Sequence, residues 1–120
     1  MSNTWQPLTS AAQLEELTAQ SYQQPQLIYK HSTRCALSSI VWQRLQGTAL
    51  PPGLTGYYLD LIAFRTLSNQ IAEKFSVYHE SPQVLLIVHG QCVYDESHMA
   101  IRMADILQEA APYLPQTNNA

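Results

Sequence analysis

Residues 30–39 read KHSTRCALSS, and this stretch decides the fold. It begins as the apolar run Leu27-Ile28-Tyr29 ends, and it leads into residues whose apolar positions recur at helical spacing. Cys35 therefore falls where a strand turns into a helix. Backbone N–H groups in the first turn of a helix have no intrahelical partner, and the helix dipole places positive charge there. Both favour thiolate over thiol. Ser38 follows three residues later, on the same helical face as Cys35. Further along, Ser81-Pro82 directly precedes a second apolar strand, Val84 to Val88.

The elements on either side follow from pattern. Ser10 with Gln13 resembles a capping box, and Leu14 and Leu17 begin the stripe of a first helix that ends near Ser21, before Pro25. Leu27 to Lys30 is a short strand. Leu37, Ile40, Val41 and Leu45 predict a helix from Cys35 to Gln46, stopped by Gly47. Residues 48–56, with Pro51-Pro52-Gly53, read as a loop, and Tyr57 to Phe64 as a strand. Leu67, Ile71, Ala72 and Phe75 mark another helix. Val84–Val88 and Cys92–Asp95 form a hairpin around His89-Gly90-Gln91. The last helix is expected to start at Ser97 as N-cap, to bury Ile101, Ala104, Leu107 and Ala111, and to stop at Pro112 and Pro115.

The resulting order is a helix followed by β-α-β-α-β-β-α, read as two parallel crossovers and a hairpin. With a cysteine after the first core strand and a proline before the third, this is the layout of a thioredoxin-like α/β fold. The expectation is a central four-stranded mixed sheet flanked by helices, with an extra N-terminal helix. Residues 1–115 are expected to form a single domain, and residues 116–120 a disordered tail.

Composition limits the function classes. Charged residues make up 12% of the chain and the net charge is −3, which gives no overall attraction to nucleic acid or an anionic membrane. No apolar run approaches the length of a membrane span, and MSNTWQPLTS lacks a basic-then-apolar signal segment, so a cytoplasmic protein is expected. The two cysteines suit neither a disulfide scaffold nor a zinc site, and no metal or bound cofactor is expected. Cys92, in a strand-like run, reads as a small buried apolar residue.

Between Leu17 and Leu59 there is no Asp or Glu, while Lys30, Arg34 and Arg44 fall in that stretch. Their charge either lowers the Cys35 pKa or is simply solvated, and the sequence leaves both open. Thr33 or Ser32 is placed to cap the helix or to donate to the thiolate, and Ser38 to hydrogen-bond it. His31 is expected to be structural at the strand end. Asp60 reads as a buried proton relay, a solvent-facing residue or a partner of Arg65. His98, beside Ser97 at a helix start, is more simply a capping element than a carboxylate binder. Trp5 and Trp42 read as packing residues.

The segments KHSTRCALS, LDLIAFRTLSNQIAEKFSVYHESPQVLLIVHG and the ESH beyond them resemble the monothiol bacilliredoxin family (YtxJ-like), from about Leu14 to Leu107. The resemblance implies a thiol–disulfide oxidoreductase that removes bacillithiol from mixed disulfides with client proteins, taking it onto Cys35. It also implies that Ser38 stands at an absent resolving cysteine, and that Pro82 is a cis-proline whose neighbour Ser81 pairs with substrate backbone. Bacillithiol is then the low-molecular-weight thiol substrate, bacillithiolated proteins are the partners, and the chain is expected to be a monomer. Family members often read CPIS where this chain reads CALS, so Ala36 departs from a residue suited to the first helical turn. Two other readings remain: a thioredoxin-fold redox sensor or binding module without turnover, and a glutathione-dependent glutaredoxin-like protein or cluster carrier.

Overall fold

The computed structural model describes residues 4–115. Five strands form one sheet: β1 (Gln6–Pro7), β2 (Gln26–His31), β3 (Thr55–Asp60), β4 (Gln83–Val88) and β5 (Gln91–Ser97), in the order β1-β3-β2-β4-β5. Four helices accompany them: α1 (Ala11–Gln20), α2 (Ala36–Gln46), α3 (Arg65–Phe75) and α4 (Met103–Ala110). The expected thioredoxin-like architecture is present, with one more strand than the sequence suggested. The addition is β1, which pairs parallel with β3 through Gln6↔Tyr57 and Pro7↔Tyr58. A proline argues against a strand because it has no N–H to donate, but an edge position tolerates it.

β1 also changes the connectivity. The two parallel crossovers are β1-α1-β2 and β2-α2-β3, because β3 pairs parallel with both β1 and β2. The connection through α3 is not parallel: β4 runs antiparallel to β2. The expected hairpin follows, with His89 (φ 51°) and Gly90 (φ 75°) as its two turn residues, the geometry that matches strand twist.

Alternation along the strands splits the core in two. Leu27, Tyr29, Val84, Leu86 and Val88 face α2 and α4, meeting Val41, Leu45, Ile106 and Ala110. Ile28, Leu59, Leu85 and Ile87 face α1 and α3, meeting Leu14, Leu17, Leu67 and Ile71. β2 and β4 are buried along their whole length, as strands covered on both faces must be.

Several boundaries differ from the expectation. β3 ends at Asp60, whose Oδ1 accepts from the N–H groups of Ile62 (3.1 Å) and Ala63 (3.3 Å), so residues 61–64 turn instead of extending the strand. Ser97 ends β5 and precedes a single 3-10 turn, His98–Ala100; the last helix starts only at Met103, after Arg102. Its buried face is Met103, Ile106 and Ala110, with Ile101 buried just before it, while Ala104 and Ala111 are exposed. On α2, Ile40 is exposed and Ser38 takes the inward position. The expected tail, residues 116–120, lies outside the described residues.

Candidate active site

α2 begins where β2 stops. Cys35 is its N-cap residue, with extended backbone (φ −116°, ψ 115°), and its N–H donates to the Ser32 carbonyl at 3.1 Å to close the turn. The sulfur makes no capping hydrogen bond of its own: the Ser38 N–H donates to the Cys35 carbonyl at 3.1 Å, and the first-turn amides act on the sulfur through their field. The Cys35 thiol is half-buried and held below the ordinary thiol range. The largest cause is the Ser38 N–H; the Leu37 N–H and then the Ser38 hydroxyl add to it, and partial desolvation opposes them.

Ser38 is prepared for this role. It is completely buried, and its Oγ accepts from the Ser32 N–H at 3.3 Å, which leaves its own proton for the sulfur. Behind it, the Tyr29 hydroxyl donates to the Ser38 carbonyl at 2.9 Å and lies 3.1 Å from Nδ1 of His31. Since the single Tyr29 proton goes to Ser38, the neutral His31 ring carries its proton on Nδ1 and donates to Tyr29. Burial pushes His31 down and Tyr29 well above the usual phenol range. His31 is therefore a structural residue at the strand end. Tyr29 stacks on Trp42 (5.1 Å, 8°), and Trp5 and Tyr58 close the aromatic cluster beneath α2.

The basic residues do not act as the charge pattern allowed. Lys30 faces α3, on the side of the sheet opposite α2, with Nζ 3.3 Å from the Ser68 carbonyl. Arg34 is exposed, and neither it nor Thr33 is among the groups that lower the Cys35 thiol. Ser32, not Thr33, organises the turn: its Oγ accepts from the Arg34 N–H at 3.3 Å. Arg44 reaches only the Met99 sulfur, at 4.0 Å. The activation comes from backbone and one hydroxyl.

Across the sheet, the pair Lys30↔Gln83 sets Ser81 and Pro82 beside the turn that carries Cys35. The Ser81–Pro82 bond is cis, Pro82 is buried, and Ser81 precedes the first paired residue of β4. The Pro82 carbonyl accepts from the His98 N–H at 3.0 Å, and the His98 imidazole reaches Glu80 at 3.2 Å. His98 is thus tied to the loop before β4 and caps no α-helix.

Cys92 is elsewhere. It is half-buried, not the fully buried residue expected; it packs against the α1/α3 side of the core and pairs with Ile87, which in turn pairs with Gln26 at the far end of β2. That is roughly 16–17 Å along the strand from His31. Burial, reinforced by Asp95, pushes its thiol up to about 11. Among the described residues no three His, Cys, Asp or Glu side chains gather as a metal site. Sequence reasoning missed His79, which the fold brings to Lys30; nothing in their separation along the chain signals that meeting.

Fold and sulfur together define a thioredoxin-fold redox protein with one cysteine at its helix N-terminus. The family model "Monothiol bacilliredoxin BrxC" matches residues 6–106, and the chain belongs to that family. A solved thioredoxin-fold protein described as a candidate oxidoreductase is 30% identical, with a TM-score of 0.76 over 87% of this chain and 91% of its own. The thioredoxin of Malassezia sympodialis shares 11% identity at a TM-score of 0.73, covering 92% of this chain and 91% of its own. Fasciola hepatica thioredoxin shares 17% at 0.68, covering 90% and 98%. These last two share the fold alone. No helix among the described residues is long and apolar enough to cross a membrane.

Proposed function

We propose that this protein removes bacillithiol from mixed disulfides with client proteins by thiol–disulfide exchange at Cys35. The observation that carries the reading is the Cys35 sulfur itself, half-buried at the N-terminus of α2 and held below the ordinary thiol range, with the Ser38 hydroxyl one turn on. The Cys35 thiolate attacks the bacillithiol sulfur of the client disulfide. A Cys35–bacillithiol disulfide forms, the client–bacillithiol S–S bond breaks, and the client sulfur leaves as thiolate to take a proton from solvent. No electrons are gained or lost overall. Ser38 supplies no second sulfur, and Cys92 is remote and protonated, so an external thiolate must attack the Cys35 mixed disulfide to release the enzyme. Ser81, preceding the β4 ladder beside Cys35, supplies backbone with which the client segment pairs, strand fashion.

The test compares release of bacillithiol and of glutathione from the same client protein. Faster release from the bacillithiol adduct, abolished by Cys35→Ala with the fold intact, is the expected result. Retained turnover in Cys35→Ala, or equal rates with both adducts, would defeat the assignment.

A further inference from the structure

Lys30 is completely buried in the middle of the sheet, and among the described residues no carboxylate pairs with it. Its Nζ has two hydrogen-bond partners, the Ser68 carbonyl at 3.3 Å and Nδ1 of His79 at 3.4 Å. The Ser68 hydroxyl is also 3.2 Å from His79 Nδ1. His79 belongs to residues 76–82, the connection that returns from α3 and ends at the Ser81–Pro82 bond. A second strand grips the same connection. Gln83, the residue paired with Lys30 in register, donates from Nε2 to the Tyr78 carbonyl at 2.8 Å. Its Oε1 is buried without a hydrogen-bond partner. Two buried polar side chains on adjacent strands thus reach consecutive residues of one loop.

A core evolved for stability alone would place apolar groups at these positions, since an unpaired ammonium and an unsatisfied carbonyl oppose folding. Burial lowers Lys30 to about 8, and it lowers His79 too, with Lys30 and Arg65 adding to the effect and Glu80 opposing it. The neutral His79 ring accepts at Nδ1 from the ammonium. What the arrangement gains is a fixed position for the backbone immediately before Ser81.

We infer that Lys30, His79 and Gln83 are positioning residues for exchange at Cys35: they hold residues 76–82 so that the Ser81 backbone is presented to the client segment beside the sulfur. The inference rests on the exchange reading above and deepens it. None of the three touches the sulfur, so they act on client binding and leave thiol reactivity alone.

The experiment measures KM and kcat for Lys30→Met, His79→Val and His79→Asn on one peptide carrying either bacillithiol or glutathione as its mixed disulfide. The iodoacetamide alkylation rate of Cys35 and a thermal melt accompany each variant. Lys30→Met and His79→Val are expected to raise KM about tenfold, the scale of one lost hydrogen bond to a charged group. The alkylation rate should match the wild type, and Lys30→Met should melt no lower. His79→Asn, which retains an acceptor near the Nδ1 position, should restore most of the loss. An unchanged KM in both disrupting variants overturns the inference. So does a KM rise matched by an equal fall in alkylation or by a lower melting temperature in Lys30→Met. If the wild type exchanges only the glutathione adduct, the bacillithiol assignment fails, while the positioning result is still read on that substrate.

Discussion

Ser38→Ala tests the account of the sulfur. The substitution deletes one hydroxyl, which accepts from the Ser32 N–H at 3.3 Å and helps to lower the Cys35 thiol. Loss of the acceptor leaves the Ser32 N–H, on a buried residue, without a partner, a cost of about 1–3 kcal/mol. In a domain of this size each kcal/mol lowers Tm by roughly 4 °C. Loss of the hydroxyl also raises the Cys35 pKa, but it is the smallest of the three groups that lower it. The Ser38 and Leu37 amides are backbone and survive the substitution. The variant thiol should therefore titrate above the wild type and still below an ordinary cysteine.

The rate of iodoacetamide alkylation against pH reads both effects. A tenfold more basic thiolate is only about threefold more nucleophilic, so the thiolate fraction dominates at low pH and basicity at high pH. Ser38→Ala should react more slowly than the wild type on the acid side and slightly faster on the alkaline plateau, and the two curves should cross. Superimposable profiles would mean that the hydroxyl does not reach the sulfur. A variant that titrates like a free thiol would mean that the amides contribute nothing, and the helix-terminus argument would fail.

Other perturbations separate the remaining groups. Lys30 drops from 10.5 to about 8 on burial, so its charge opposes folding fully below about pH 8 and progressively less up to 10.5. Lys30→Met should accordingly be more stable at neutral pH by up to roughly 3 kcal/mol, and paired urea denaturations should show the difference shrinking across that window; a constant difference would contradict it. Cys92, pushed up to about 11, should stay unmodified in the folded protein at neutral pH, giving one iodoacetamide adduct by intact mass and two after denaturation. Cys92→Ala should leave exchange unchanged, and a second adduct on the folded chain would count against its assignment as inert. Ser38→Cys puts a second thiol one helical turn from Cys35; mild oxidation should consume both as an intramolecular disulfide, and two thiols still titratable afterwards would argue against the proximity of these positions.

What the sequence disclosed, and what it hid, divides along physical lines. The strand–cysteine–helix turn and the His89-Gly90 hairpin were legible because each is local: the periodicity of neighbouring residues and a turn that needs positive φ. β1 was not, because a two-residue edge strand containing Pro7 has no pattern of its own and exists only by pairing with β3. The start of the last helix was misplaced because Ser97 has the composition of an N-cap while its backbone continues the β5 ladder to Gln83. Lys30 looked like a charge near Cys35 since five residues separate them, yet strand alternation sends its side chain to the other face of the sheet. His79 was illegible for the converse reason: its partner lies on a strand far away in sequence, and only the α3 connection brings them together.

The same geometry explains why alanine suffices at position 36, where relatives often carry proline. The groups that lower the Cys35 thiol belong to residues 37 and 38. The N–H of residue 36 is not among them, so a proline there, which has no N–H, and an alanine leave the same set of groups. Cys35 already holds the extended conformation that a following proline would impose, with φ −116° and ψ 115°. The turn through Ser32 and Cys35 and the burial of Ser38 fix that conformation without the ring. The difference therefore falls on the unfolded chain, where proline restricts the ensemble and alanine does not, an effect of about 0.4–1 kcal/mol on stability. Nucleophile activation is set by backbone that no side-chain replacement at 36 removes, and the departure from the family pattern alters rigidity without altering the chemistry of the sulfur.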